Sequence, residues 1–506
     1  MKKLIYNAKR IHTRNFSKKA DALLVDGDRI AAIGEKDDFL SEIRKGIQLI
    51  DADQAVILPG FIDAHNHFCY MAEDALKIDL GGLFDKDLIL EKIFTSAEKM
   101  PKNHPILCSN WEYDNTHKEL RVTADELDVH LANRLLQINE RTGHLSVTNK
   151  YTLDYAGIDW QHSGGCCAWS PAEFTGEICG KINSRLWKYF KDMMYSPENL
   201  KLCLKNADRL ALSHGITGIH VICNEDDLPV LFDFQDCLSI NVHIFTETKD
   251  VKKIHDLGLH QIGGCGTVMV DGDTSAETAA FFEPYLTSKN NKGMLYYKDE
   301  ELYEYVKAAH TRDMQIGLHC VGDAASDQLI RVFERLQKED PRPIRHRIEH
   351  FEFSNPDMIR RVKENDICLS VQPNFNHIWP HEDYLVDLGE ERSLQADRVA
   401  SLVNAGIHVC FGSDCPVTPC EPLLSIHSAV NHSNPAERID VNTAIDCQTW
   451  QSAYCGYQEK ERGSIEPGKF ADLVFLAEDP LTVPSERIKD IQVLHTFTEG
   501  QNVFSA

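Results

Sequence analysis

The stretch Val56-Ile-Leu-Pro-Gly-Phe-Ile-Asp-Ala-His-Asn-His67 governs how the rest of the chain is read. An apolar run ends in two histidines two residues apart. Side chains on a β-strand alternate faces, so residues i and i+2 share one. His65 and His67 therefore reach one point at the strand's carboxyl end. Paired neutral imidazoles suit a borderline cation such as zinc. In a chain with 23 histidines such a pair also arises by chance, so the remaining sequence has to carry the reading.

Further short apolar runs follow. The candidate strands are Phe61–His67, Ile216–Ile222, Asn241–Phe245, Thr267–Val270, Ile316–Cys320, Arg347–Phe351, Ile367–Gln372 and Ile407–Gly412. Amphipathic stretches such as Glu300–Thr311, Ala324–Gln337 and Pro356–Glu364 lie between them. Eight strand–helix units predict an α/β chain built as a (β/α)8 TIM-like barrel, over residues 58–74 and 200–459. Roughly 150 residues separate the first strand from the second, too many for one loop. Residues 75–199 are therefore read as an inserted subdomain, with Trp111-Glu-Tyr113 and Asn139-Glu-Arg-Thr-Gly-His144 in it. Both ends of the chain are strand-rich. Ala22–Val25 and Arg29–Ile33 flank the turn signal Asp26-Gly-Asp28, which predicts a hairpin. Ala471–Leu476 and Val493–Thr498 follow the turn-rich Gly463–Lys469. Residues 1–57 and 460–506 are expected to form one composite β-sandwich.

Composition narrows the function classes. A chain of 506 residues exceeds one ordinary core. Its 42% apolar and 26% charged residues suit a water-soluble globular protein. A net charge of −25 argues against nucleic acid or an anionic membrane as partner and reads as solubility in the cytoplasm; a small-molecule substrate is the expected partner. No apolar run is long enough to span a bilayer, and Met1–Arg10 lacks the apolar segment of a secretory leader. Sixteen cysteines, including the adjacent Cys166-Cys167, contain no CxxC pair, so reduced thiols in the cytoplasm are expected. A homodimer is the expected assembly.

In such a barrel the active site lies at the carboxyl ends of the strands. Strand five offers His319, strand six His350, and strand eight Asp414. Each alone has an ordinary reading, the histidines as half-buried groups on backbone carbonyls and Asp414 as a turn residue. Together with His65 and His67 they make five ligand-type side chains from four strands, which points to a metal.

Several longer motifs carry a family resemblance: Leu58-Pro-Gly-Phe-Ile-Asp-Ala-His65, His319-Cys-Val-Gly-Asp323, Arg347-Ile-Glu-His350, Ser370-Val-Gln-Pro373, Gly412-Ser-Asp-Cys-Pro-Val417 and Gly463–Val474. They resemble the amidohydrolase superfamily, in its N-substituted formamide deformylase-like branch. The resemblance implies a metal-bearing barrel, a β-sandwich from both termini and an insertion after strand one. It implies one or two divalent ions, zinc foremost, held by His65, His67, His319, His350 and Asp414. It further implies attack by metal-bound hydroxide on an amide-type, non-peptide C–N bond, with Asp414 as general base and acid.

One position departs from the family. Many relatives carry a lysine on strand four, four residues before an Asp-Gly pair, whose carbamate bridges two metals. Here Gly266-Thr-Val-Met-Val-Asp-Gly272 places Thr267 there, and a threonine forms no carbamate. Glu247 or Cys265 are the candidate substitutes, although Gly-Gly-Cys-Gly266 reads first as a tight turn. Trp111, Tyr113, His144 and Gln372 are the substrate-binding candidates, with a core role for Trp111 equally open. Asp323 reads as a helix cap. Two alternatives remain. A deaminase would carry a glutamate three residues after His319, where this chain has Gly322. A non-catalytic binding barrel would have lost the ligand set, which is complete here except at strand four.

Overall fold

The computed structural model describes residues 2–14, 20–74, 76–113, 117–159 and 174–506. Eight parallel strands make one sheet in chain order: Phe61–Asn66, Ile216–Asn224, Asn241–Glu247, Gln261–Gly264, Gln315–Cys320, Arg347–His350, Cys368–Val371 and Val409–Phe411. Strand eight returns beside strand one through a single parallel bridge, Asn66 to Cys415, so the barrel is nearly closed. The Asp414 amide donates to the His65 carbonyl at 2.8 Å across this seam. Gly412 permits the approach, because a Cβ there would stand 2.5 Å from the His65 Cβ. Helices cover the outside, so the barrel strands are buried on both faces.

Strand four lies elsewhere than its apolar pattern predicts. It is Gln261–Gly264, and Gly266–Val268, within the expected run, is a short 3-10 turn. Gly263 and Gly264 have φ of 109° and 111°, which a side chain rarely adopts. A Cβ on Gly263 would meet the Gly317 carbonyl oxygen at 1.9 Å, and one on Gly264 would meet Ile222 at 2.5 Å. Close packing between neighbouring strands thus demands glycine where a hydrophobic pattern was expected. The residue just past the strand's carboxyl end is Cys265. Thr267 is exposed, and its hydroxyl donates to the Glu247 carbonyl at 3.3 Å.

The chain ends form two further sheets. Lys2–Tyr6, Ala22–Asp26, Arg29–Gly34 and Gln48–Asp51 make the first, with the hairpin turning at Gly27. Arg10–Ile11 and Val56–Pro59 join Leu473–Leu476, Val493–Thr498 and Gln501–Ser505 in the second. Ile5, Val25, Ile57, Phe475 and Phe497 share one core between them. Between barrel strands one and two runs a five-stranded sheet of Ile78–Asp79, Ile106–Trp111, Leu136–Glu140, Leu145–Val147 and Glu177–Cys179. It has its own core of Ile89, Ile93, Trp111, Leu127 and Ile138. Helix Gly180–Met194 and helix Pro197–Ser213 lead back to the barrel. Among the described residues no helix is long and apolar enough to cross a membrane. Cys166 and Cys167 lie outside the described residues.

Candidate metal centre

Six donor-type side chains meet at the carboxyl end of the barrel. Three groups form within them: His65, His67 and Cys265; Cys265, His319 and His350; His65, His350 and Asp414. Within each group the donor atoms lie within 4.8 Å of one another. All six residues are buried. Cys265 belongs to two groups, its Sγ 3.5 Å from His65 Nε2 and 3.6 Å from His350 Nε2.

Hydrogen bonds from behind orient the imidazoles. His65 Nδ1 donates to Glu349 Oε2 at 2.7 Å, which turns the Nε2 lone pair inward. His350 Nδ1 donates to Gln372 Oε1 at 2.8 Å with the same result. His319 is reversed: Nε2 donates to the Gly272 carbonyl at 3.1 Å, leaving Nδ1 buried with no hydrogen-bond partner. Asp414 Oδ1 stands 3.2 Å from His65 Nε2 and 3.1 Å from His67 Nε2, and it too makes no hydrogen bond. Buried donor atoms of nitrogen, sulfur and carboxylate oxygen that face one another, with His319 Nδ1 and Asp414 Oδ1 lacking a hydrogen-bond partner, fit a divalent cation of the zinc type.

The electrostatics agree. Burial opposes charge on Cys265, yet the neighbouring His65, with His319 and His350, holds its thiol well below the usual value. Burial likewise opposes charge on Asp414, and His65 and His67 hold its carboxyl well below the carboxylate range. In turn His67 is pushed up to about 10 and His319 to about 9, the anionic partners outweighing desolvation. Two buried anions are thus balanced by protons on imidazoles, and a bound cation would displace those protons.

A second layer supports this centre. Glu349 and Arg347 are both fully buried, and Arg347 bonds both oxygens of Glu349 at 2.9 and 2.7 Å. Burial would raise the Glu349 carboxyl, but the Arg347 guanidinium holds it down to about 2. Arg347 also donates to the Ala64 carbonyl at 2.8 Å and to His220 Nδ1 at 2.9 Å. Asp63 accepts from the Ser413 amide and hydroxyl at 2.8 and 2.6 Å, pinning strand one to the Asp414 turn.

The substrate-binding candidates are dispersed. His144 lines both cavities that reach the donors, its ring 5.8 Å from that of His319. Trp111 is fully buried in the core of the inserted sheet, its indole N–H donating to the Leu120 carbonyl at 3.1 Å, and it lines neither cavity. Tyr113 stacks on it. Gln372 spends its carbonyl oxygen on His350 and lines neither cavity, so the structure gives it an orienting place. Asp323 does not cap its own helix; it accepts from the Phe282 amide at 2.9 Å. Sequence reasoning missed Glu349 as the partner of His65 and Arg347 as the base behind Glu349. The signal was present, since two charged residues at i and i+2 of a barrel strand must share a face.

An Amidohydrolase family model matches residues 48–504. This chain belongs to that family. Among its relatives are YtcJ of Bacillus subtilis (strain 168), 26% identical over 95% of this chain and 97% of that one, and the N-substituted formamide deformylase of Arthrobacter pascens, 23% identical over 98% and 96%. The crystal structure of an uncharacterized metal-dependent hydrolase from Pyrococcus horikoshii OT3 shares the fold, with a TM-score of 0.78 at 24% identity over 96% of this amidohydrolase and 99% of that chain.

Proposed function

We propose that this amidohydrolase is a metal-dependent hydrolase of a non-peptide, amide-type C–N bond, with Asp414 as general base and acid. The observation that carries the reading is the overlap of the donor groups at Cys265. His65 and His67 group with the thiol in one donor set and His319 and His350 group with it in another, so these residues with Asp414 would hold one or two divalent cations. In this reading Cys265 stands in for the lysine carbamate of many relatives.

When bound, a divalent cation would supply Lewis-acid polarisation of a carbonyl and a water of lowered pKa. The chain's own residues do the rest. Glu349 and Gln372 keep the imidazole lone pairs inward, and burial excludes competing water. Asp414 takes the proton of the attacking water and returns it to the departing nitrogen. The name of the Arthrobacter relative supports a formamide-type bond as the first substrate class to assay.

Metal content and turnover of purified protein test this together, using a panel of N-substituted formamides. One or two zinc-type ions per chain are expected, falling in Cys265→Ser. Asp414→Asn is expected to lower turnover by ~10²–10⁴-fold while the fold persists. A protein that takes up no metal after reconstitution, or an Asp414→Asn variant as active as the parent, would overturn the reading.

A further inference from the structure

The donor cluster opens on two sides. His67, Cys265 and Glu247 face a cavity of about 330 Å³ whose wall mixes Lys77, Arg141, Lys188 and Lys191 with Glu73, Asp74, Glu140 and Asp226. His319, His350 and Asp414 face a narrower chamber of about 90 Å³. Among the described residues lining this chamber there is no lysine or arginine. Its wall instead carries Asp273 and Asp387, at most 9% exposed, and the half-buried Asp383, beside Glu352, whose carboxyl is pushed well up by burial and then by Asp397. Phe375, Trp379 and Tyr384 add aromatic surface.

The wall is built rather than incidental. Asp273 is fixed by the Ala276 amide at 3.1 Å and the Ser275 hydroxyl at 2.9 Å. Asp387 accepts from the Thr287 hydroxyl at 3.0 Å. Phe375 stacks on His350 with ring centroids 5.9 Å apart, and Trp379 meets Phe375 edge-on at 5.5 Å. His319 and Asp414 line the same chamber and join it to the donor set. Carboxylates withdrawn from water are stabilised by an entering cation, and aromatic faces attract the same cation through their quadrupoles. A neutral group gains neither effect, and an anion is repelled.

We infer that this chamber is a subsite for the cationic end, an ammonium or guanidinium, of the substrate whose C–N bond lies at the donor cluster. The inference rests on the hydrolase reading for the position of that bond and on the chamber wall for the charge. The chamber has room for a small cationic head, and the larger cavity takes the other arm of the molecule.

The test is direct binding to the full-length protein with its metal content measured in the same preparation. Methylguanidinium and N-methylurea have nearly the same shape and differ in charge. Calorimetric titration is expected to show methylguanidinium binding at least ~10-fold more tightly, with the preference shrinking as salt is raised. Asp387→Asn keeps an acceptor for Thr287 and should reduce the preference several-fold at unchanged metal content; Trp379→Leu does the same if the first variant fails to fold. Equal binding of the two probes, no binding of either, or a preference untouched in both variants overturns the subsite. A protein without metal that still prefers methylguanidinium keeps the subsite and overturns only the hydrolase reading.

Discussion

Two buried ion networks near the donor cluster each set a basic side chain against buried carboxylate. In one, Arg347 sits inside the barrel on both oxygens of the Glu349 carboxylate, with His65 sharing Oε2 and His220 on another guanidinium nitrogen. In the other, Lys191 reaches from the inserted segment's last helix to Glu73 at 2.9 Å and to Asp227. The first uses a planar fork whose every contact is fixed, so it sets the orientation of a metal ligand to a fraction of an ångström. The second uses a flexible ammonium that ties three separate pieces of chain together, after strand one, after strand two and in the insertion. Charge buried behind a ligand serves geometry; charge buried between pieces of chain serves closure.

Arg347→Met should sharpen the contrast most. It strands the Glu349 carboxylate in a dry interior, with an expected loss of ~3–5 kcal/mol in denaturant unfolding and a fall in bound metal. Lys191→Met should be milder, ~1.5–3 kcal/mol, because the ammonium is partly solvated and its role is to hold pieces together. Metal content should stay at the parent level and KM should rise more than kcat falls. If Lys191→Met empties the metal site, the two networks do one job and the comparison breaks. Glu349→Gln retains the shape and removes the charge, and it should weaken metal affinity by ~10–100-fold, read by chelator competition.

The smallest effect is the pH slope. Burial, with help from Arg347, holds His243 down to about 3 and His220 well below its usual value. Unfolded imidazoles protonate near pH 6.5, so these residues contribute fully above that pH and the contribution is lost as pH falls toward 3. Stability of the metal-loaded protein should therefore decline below pH 6.5. Removing one such group, as in His243→Phe, should flatten the decline by up to ~1.4 kcal/mol per pH unit. An unchanged slope would mean that His243 is already protonated in the folded protein.

Much of the barrel and five of the six donors were legible in the sequence for one reason. Seven barrel strands are apolar enough to show themselves, and ligands cluster at strand ends, so His65, His67, His319, His350 and Asp414 could be placed by position alone. Strand four escaped because its packing requires Gly263 and Gly264, which leave no hydrophobic trace. Once that strand was misplaced by a few residues, Thr267 took the position that Cys265 holds, and the shared donor was obscured. Trp111 and Gln372 lie away from both cavities for another reason. An aromatic ring or an amide serves a core or an orienting bond as readily as a substrate, and only the direction of the side chain separates these roles.

The seam between strands one and eight also bears on how the protein is made. The Asp414 amide hangs on the His65 carbonyl, and Gly412 lets the two strands touch, although nearly 350 residues of chain separate them. A ribosome delivers His65 and His67 early and Asp414 close to the end. The six donors exist as one set only after almost the whole polypeptide has emerged, so in the proposed reading any loading with metal would be a late event in biosynthesis, and a nascent chain stalled before strand eight would expose an incomplete set to whatever ions the cell holds.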